Sequence, residues 1–217
     1  MTARVDIWRI PLTESVDIDP AGGALDATER GRAARFHFDR DRRRFRIAHD
    51  ALRRVLSDYG CGAPDALEFA HNDQGKPYLK GSKIRFNLTH SGDLALLAVS
   101  PDAEVGVDLE ARRAMDDLMG VARIVFHDEE VAALEEIAGD ESRHDGFFSC
   151  WTRREAYLKG LGLGLGAAKK LEPVWRPGAG RISPRPGWVV EQSTADAGFC
   201  AAVAVAADDV EITLRSR

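Results

Sequence analysis

Two carboxylates separated by one residue are the first feature of the sequence that can do chemistry. Asp108 and Glu110 lie in the hydrophobic segment 105–110, Val-Gly-Val-Asp-Leu-Glu. In a β-strand, alternation places both carboxylates on one face, about 6.5–7 Å apart. The pair can then approach one hard cation from the same side, and Mg²⁺ prefers such oxygen ligands next to substrate phosphates. A solvated strand face has the same pattern, so this motif alone leaves both interpretations open.

A second group of polar residues recurs at helical spacing. Trp151, Glu155 and Lys159 follow one another at intervals of four, which places them on one face of a helix. One interpretation is a third carboxylate for the cation and an ammonium group for a phosphate. The alternative is an exposed pair at i and i+4, which stabilises a helix by only about 0.2–0.5 kcal/mol.

Two turns offer groups that can bind an anion. Thr89 and His90 end a predicted strand in Phe-Asn-Leu-Thr-His-Ser-Gly-Asp, residues 86–93, where side chains and backbone N–H groups can meet a phosphate. Lys76, in Gln-Gly-Lys-Pro, can add an ammonium group from a neighbouring turn. Ordinary turn residues explain both segments equally well when each is taken in isolation.

The charged residues are unevenly distributed. The net charge is −5, yet residues 30–54 contain ten arginines against three aspartates, and residues 128–141 are strongly acidic. The arginine segment favours a polyanionic ligand, although a solvated helix face would have the same composition. Few aromatic residues interrupt the arginines and the chain is acidic overall, which argues against binding of nucleic acid.

The elements that must position these residues follow from hydrophobic periodicity. Strands are predicted over 5–10, 66–70, 77–79, 85–90, 93–100, 105–110, 188–193, 198–207 and 210–215. Helices are predicted over 29–36, 45–59, 128–139 and 144–160, with 111–126 partly helical and the segment 176–187 a loop. The order of strand, helices and strands occurs twice, which predicts an α+β fold of two similar halves, residues 1–103 and 104–217.

Composition narrows the cellular setting. The 217 residues are 44% hydrophobic, which is enough for one large domain or two small ones. No apolar run approaches the roughly 20 residues that span a bilayer. The three cysteines are scattered, and the N-terminus carries charges where a signal peptide would be apolar. We therefore expect a cytoplasmic protein without a membrane partner.

Three blocks of sequence, taken together, resemble the 4′-phosphopantetheinyl transferase superfamily. They are Phe-Asn-Leu-Thr-His-Ser-Gly-Asp, Val-Gly-Val-Asp-Leu-Glu and Trp-Thr-Arg-Arg-Glu-Ala-Tyr-Leu-Lys, the last two similar to the family signatures G-[VI]-D-x-E and W-x-x-K-E-[AS]-x-x-K. The length resembles the monomeric, surfactin-synthetase-activating type, with two pseudo-symmetric halves around a central cleft. The resemblance implies transfer of the phosphopantetheine arm of coenzyme A to a serine of an apo carrier protein, with release of 3′,5′-ADP.

The resemblance also implies roles for individual residues. Asp108, Glu110 and Glu155 would bind Mg²⁺, with Mn²⁺ as an alternative. Glu155 would also act as general base, and Lys159 would stabilise the departing nucleotide. The residues expected to contact coenzyme A are Arg46, Lys76, Asn87, Thr89, His90, Asp108 and Lys159, with Arg32 a weaker candidate for the 3′-phosphate.

Two positions depart from the family pattern. Arg154 stands where the family usually has lysine, and its planar guanidinium leaves its role open. Some family members lack a carboxylate at the position of Glu110. The segment after Glu110 would dock the carrier through Met115, Leu118, Met119 and Val121, with Arg112 and Arg113 facing an acidic helix. The same apolar residues would equally fit a core.

Two other functions are compatible with parts of the sequence. A Mg²⁺-dependent hydrolase of a coenzyme A or nucleotide pyrophosphate would use the same carboxylates without a carrier. A nucleic-acid-binding module would use the arginine segment. The carrier and its pathway, whether fatty-acid, polyketide or nonribosomal-peptide synthesis, are not encoded in the motifs.

Overall fold

A computed structural model describes residues 2–13, 23–194 and 196–217 of the chain. It contains helices and mixed sheets, which confirms the predicted α+β class with two similar halves. Residues 1 and 14–22 of the expected first half lie outside the described residues.

The elements of the first half follow the predicted order. They are β1 (Thr2–Pro11), α1 (Ala27–Ala34), α2 (Asp39–Asp58), β2 (Phe69–His71), β3 (Pro77–Leu79), β4 (Arg85–Ser91) and β5 (Leu94–Ser100). Asp26 caps the N-terminus of α1 and forms a capping box with Glu29. A short polar side chain before the first turn of a helix favours this arrangement. On α2, hydrophobic residues at helical spacing, such as Ala48, Leu52 and Val55, pack against Leu97 and Val99 of β5.

The second half repeats the strand, helices and strands. Its elements are β6 (Val105–Ala111), α3 (Leu118–Val125), α4 (Asp128–Glu135), α5 (Asp140–Leu161), β7 (Arg181–Ile182), β8 (Val189–Ser193), β9 (Phe199–Val205) and β10 (Asp209–Ser216). The segment 176–187, expected to be a loop throughout, contains β7, because Arg181 and Ile182 pair with the edge of β8. Helix α5 ends at Gly162, whose φ of 68° is a left-handed conformation that glycine adopts without strain.

The fold contains two four-stranded sheets. The first sheet has the order β10-β1-β5-β4 and the second has the order β6-β9-β8-β7. The last strand therefore completes the first sheet, where it pairs parallel with β1. The division into 1–103 and 104–217 stays a prediction, and the sheet order adds that residues 209–216 belong structurally with the first half.

Helix α5 packs very closely on β6. A Cβ atom on Gly106 would lie 2.1 Å from the carbonyl oxygen of Ala156 and 2.2 Å from the backbone nitrogen of Gly160. Only glycine at position 106 allows this approach, which brings the polar face of α5 beside the carboxylates of β6.

Strands β4 and β6 face each other across the boundary between the halves. Asn87 Oδ1 accepts a hydrogen bond from the backbone N–H of Val107 at 2.9 Å, and the Ser91 hydroxyl accepts one from the N–H of Ala111 at 3.0 Å. Asn87 and Ser91 lie on the same face of β4, which is turned towards β6. Side-chain hydrogen bonds therefore join the halves here, and backbone pairing between the two strands does not. Asn87 is 6% exposed and has this structural contact, so its assignment to coenzyme A stays a prediction.

No helix in the described ranges is both long and apolar enough to cross a bilayer.

Candidate active site

The centre of the candidate site is the buried carboxylate of Asp108 on β6. Lys159 Nζ, from α5, donates to Asp108 Oδ1 at 2.6 Å, and the Thr89 hydroxyl, from β4, donates to the same oxygen at 3.3 Å. Asp108 is only 4% exposed. Its Oδ2 is buried and has no hydrogen-bond partner among the described residues. Three elements from both halves thus meet at one carboxylate.

Two further carboxylates share this environment. The pKa of Glu110 is raised, first by burial and then by the charge of Asp108. Burial also raises the pKa of Glu155; Lys159 opposes this shift, whereas the charges of Asp108 and Glu110 add to it. The Ser91 hydroxyl donates to Glu110 Oε2 at 3.2 Å and orients that carboxylate. Mutual repulsion of the three acids means that the site favours an added cation or proton.

The carboxylate oxygens of Asp108, Glu110 and Glu155 are the kind of ligand that a hard divalent cation prefers. Their arrangement in this structure is not that of a closed metal site. Over the described ranges, no group of three His, Cys, Asp or Glu side chains is arranged to hold a metal ion. Lys159 provides the positive charge beside Asp108 in this structure. The unpartnered Oδ2 of Asp108 and the repulsion among the carboxylates are nevertheless features that Mg²⁺ would relieve.

An aromatic-lined cavity of about 430 Å³, called the basic cavity because Arg32 and three histidines line it, includes His90 in its wall. Its two acids, Asp26 and Glu29, are both paired with Arg53. Its walls include Arg32, Phe45 and His49, and the guanidinium of Arg32 lies 5.1 Å from the centre of the Phe45 ring. The pKa of His90 is lowered, first by burial and then by the charges of Arg44 and Lys159. Two cations, Arg44 and Lys159, therefore act on His90 in the wall of the cavity.

The expected coenzyme A ligands are placed at different points around the cleft. His90 and Arg32 line the basic cavity, but Arg46 is not among its described lining residues. Lys76 Nζ donates to Glu104 Oε2 at 2.9 Å and to the carbonyl oxygens of Val105 and Gly160 at 3.2 and 3.0 Å. In this structure Lys76 thus joins the turn of the first half to β6 and α5.

Sequence reasoning missed Arg44 as a candidate site residue. Arg44 lies on α2 and bonds to Asp93 in the β4–β5 turn, with Nη2 2.5 Å from Oδ1. Its charge acts on His90. The helical periodicity of α2 could have separated Arg44 from its neighbours, but the dense arginine run gave no reason to select it.

Arg154 has a structural environment. Its guanidinium bonds to Glu130 of α4, and both side chains are fully buried. Arg154 Nη1 also donates to the carbonyl oxygens of Ala168, Leu171 and Glu172. Glu130 in turn accepts from the backbone N–H groups of Val174 and Trp175, at 2.7 and 3.1 Å. This network fixes α5 to α4 and to the segment that follows α5.

The expected carrier-docking residues are half-buried. Met115, Leu118, Met119 and Val121 pack against the core formed by α3, α4 and α5. Ile124, one turn further, is 75% exposed. The segment therefore contributes to the core and still presents an apolar side chain to solvent.

A buried acidic centre beside a basic cavity defines a class of protein that binds an organic phosphate next to a charge-stabilised reaction centre. Comparison with known proteins identifies the family. The profile of the 4′-phosphopantetheinyl transferase superfamily matches residues 104–194, and a profile described as 4′-phosphopantetheinyl transferase, N-terminal, matches residues 13–102.

Individual relatives agree with the family profiles. The chain is 34% identical over 212 residues to the 4′-phosphopantetheinyl transferase HetI of Nostoc sp., covering 95% of this chain and 89% of the relative. It is 33% identical to a putative 4′-phosphopantetheinyl transferase of Synechocystis sp., covering 76% and 68%. It is 29% identical to the L-aminoadipate-semialdehyde dehydrogenase-phosphopantetheinyl transferase of Xenopus laevis, covering 64% and 49%.

The chain belongs to the 4′-phosphopantetheinyl transferase superfamily. It is an enzyme that transfers phosphopantetheine from coenzyme A to carrier proteins. This confirms the function that the three sequence blocks predicted and disfavours the hydrolase and nucleic-acid alternatives.

Proposed function

We propose that this enzyme transfers phosphopantetheine to a carrier serine at the boundary between its halves, with Mg²⁺ held by Asp108, Glu110 and Glu155. The observation that carries the proposal is the convergence of these three carboxylates with Lys159 next to the basic cavity. When bound, the cation would neutralise charge between the carboxylates and the pyrophosphate of coenzyme A.

The remaining chemistry is assigned to the side chains. The serine oxygen attacks the β-phosphorus of coenzyme A, and the bond from that phosphorus to the bridging oxygen breaks, releasing 3′,5′-ADP. Glu155 accepts the serine proton as the general base. Lys159 offsets charge on the departing phosphate. Such transfer depends on positioning and charge stabilisation more than on covalent chemistry by the protein.

The nucleotide of coenzyme A is assigned to the basic cavity. His90, Thr89 and Arg32 would contact its phosphates, and the position of Arg44 beside His90 supports adding this residue to the set. Arg46, Lys76 and Asn87 keep their proposed contacts with coenzyme A, although Lys76 and Asn87 would have to share their present hydrogen bonds with it. The enzyme is proposed to act as a cytoplasmic monomer that binds no nucleic acid.

The carrier is assigned to the surface of α3 and the segment before it. The exposed side chain of Ile124 and the half-buried methionines offer an adaptable apolar contact. Arg112 and Arg113 are exposed beside it and can attract an acidic carrier helix.

The transfer can be tested by intact-mass analysis of a panel of apo carriers incubated with enzyme and coenzyme A. We expect one phosphopantetheine per carrier with Mg²⁺ and no transfer after chelation. Release of 3′,5′-ADP in reactions without any carrier would instead support a hydrolase. Full transfer in the presence of a chelator would remove the metal from the proposal.

The role of Glu155 can be tested with Glu155→Gln. The amide cannot accept a proton from serine and is a poor magnesium ligand, so we expect transfer to fall by at least about 10²-fold. Thermal unfolding should show a folded protein. Glu141→Gln, the same change at an exposed position on α5, is the matched control. Near-normal turnover of Glu155→Gln would exclude Glu155 as the base.

A further inference from the structure

An open cavity of about 640 Å³ lies on the side of α5 that faces away from the catalytic residues. Ser142, Gly146, Ser149 and Arg153 recur at intervals of three and four along α5 and line this cavity. Because Glu155 follows Arg153 by two positions, it projects from nearly the opposite side of the helix. The cavity is therefore separate from the site that binds coenzyme A and the carrier serine.

Arg153 is a buried cation without a carboxylate partner in this cavity. The residue is 1% exposed. Among the described residues, no carboxylate lies within 4.0 Å of its guanidinium. Its Nε donates to Gln192 Oε1 at 3.3 Å, and Nη2 donates to the carbonyl oxygens of Ala179 and Gly180 at 2.6 and 3.0 Å. All these acceptors are neutral. Burial is the largest influence on the pKa of Arg153 and lowers it, whereas the charges of Glu191 and Glu130 act in the opposite direction without a direct contact. A buried charge whose direct partners are all neutral is costly, and a bound anion would reduce that cost.

Two donors at the cavity have no acceptor. Arg153 Nη1 and the Ser193 hydroxyl are buried without a hydrogen-bond partner in the described part of the chain. Gln192 cannot serve them, because its Oε1 already accepts from Ser149 at 2.7 Å and its Nε2 donates to the Ala201 carbonyl at 2.6 Å. Buried donors are nearly always satisfied in native proteins, so both indicate a missing acceptor.

Positive charge predominates among the residues that line the cavity. Arg112 and Arg176 line it with Arg153, and Asp145, which also lines it, pairs with Arg112 at 3.1 Å. Ile137, Trp175 and Phe199 give the cavity an apolar wall. A cavity with excess positive charge and one apolar wall suits an anion attached to a small apolar group.

We propose that this cavity binds a small anion with a carboxylate or phosphate group, with Arg153 Nη1 and the Ser193 hydroxyl as donors. Nη1 is buried, and the segment 176–180 lines the same cavity, so the anion contacts Nη1 when that segment shifts. Since Arg153 lies on α5, the anion would fix the catalytic helix to the segment that follows it. This proposal does not depend on the roles assigned above to the carboxylates.

Thermal unfolding of the full chain, saturated with coenzyme A so that its phosphate sites are filled, tests the proposal. The probes are inorganic phosphate and phenyl phosphate, titrated at constant ionic strength against chloride. For the wild type we expect Tm to rise with the logarithm of the phosphate concentration above Kd, by roughly 5–10 °C at about 100 times Kd. Phenyl phosphate should bind more tightly because of the apolar wall.

Variants connect any effect to the cavity. Arg153→Met should lose the phosphate-dependent rise in Tm, whereas Arg54→Met, which removes an exposed arginine of α2, should keep it. If Arg153→Met does not fold, Ser193→Ala provides the test, and its phosphate affinity should fall roughly fivefold to tenfold. No rise in Tm beyond the chloride control for the wild type, or an equal rise in Arg153→Met or Ser193→Ala, would overturn the proposal.

Discussion

At the scale of single residues, the site depends on the balance of charge around Asp108. One buried carboxylate accepts from Lys159 and Thr89, while Glu110 and Glu155 add negative charge nearby. Lys159 alone cannot neutralise three acids. A cation and the phosphates of coenzyme A would complete the balance together, which explains why acidic and basic groups lie so close in one cleft.

His90 gives the first prediction at this scale. It lies between the basic cavity and Lys159, and its pKa is lowered by burial and by the charges of Arg44 and Lys159. His90→Ala should raise the KM for coenzyme A, roughly tenfold if one hydrogen bond to a phosphate is lost, with a smaller change in kcat. Steady-state kinetics at fixed carrier concentration measures both constants. An unchanged KM would make His90 a turn residue.

Glu29 gives a prediction about pH. Burial, the largest influence, raises the pKa of this carboxyl, but hydrogen bonds and charges of His49 and Arg53 outweigh it, and the net pKa lies below the ordinary value of 4.5. The resulting stability is present above the unfolded pKa and is lost as pH falls through the folded pKa. The stability difference between wild type and Glu29→Gln should therefore shrink as pH falls below about 4.5.

Urea unfolding across the acid range measures that difference. Glu68→Gln is the control, because Glu68 is exposed and has only a surface ion pair with Lys80 at 3.2 Å. Its stability difference from the wild type should change little with pH. A difference for Glu29→Gln that stayed constant down to pH 3 would contradict the assigned shift.

At the scale of elements, catalysis depends on where α5 is held. Gly106 lets the helix approach β6, and the buried network of Arg154 and Glu130 fixes the helix from its other side. The family signature usually has lysine at position 154. The structure shows that arginine here serves to position α5, because its guanidinium bonds to α4 and to three carbonyl oxygens rather than to the carboxylate centre.

A double-mutant cycle on Arg154 and Glu130 tests this positioning role. Removing either charge leaves the other buried and unpaired, so Arg154→Met and Glu130→Gln should each lower the free energy of unfolding by about 3–5 kcal/mol. The double variant should lose much less than the sum. Additive losses, measured by urea unfolding, would show that the two residues do not act as a pair.

The same elements show what sequence could predict. Strand and helix periodicity placed Asp108, Glu110 and Glu155 on defined faces, but only the resemblance of three sequence blocks to the family selected them as metal ligands, and that role stays a prediction. The burial of Arg153 and Arg154 was hidden, because polar residues occur on all sides of α5 and no apolar stripe marks its core face. The placement of β10 was hidden as well, because alternation predicts a strand but not the strand that pairs with it.

At the scale of the molecule, the two halves share one core. Val5 and Leu96 of the first sheet pack in the same buried cluster as Val107 and Val203 of the second. Strand β10 strengthens this connection, because the chain returns from the second half to pair with β1. The cleft is thus formed between two sheets that cannot separate without exposing a common hydrophobic cluster.

A shared core predicts that the halves unfold together. Val203→Ala removes buried volume from β9, at 0% exposure, and should lower stability by roughly 2 kcal/mol. Native-state hydrogen exchange should then show an equal loss of protection in β5, in the other half. Leu214→Ala, at an exposed position on β10, should change neither strand. If protection fell in β9 but stayed unchanged in β5, the halves would be independent folding units, and the cleft could open by their separation.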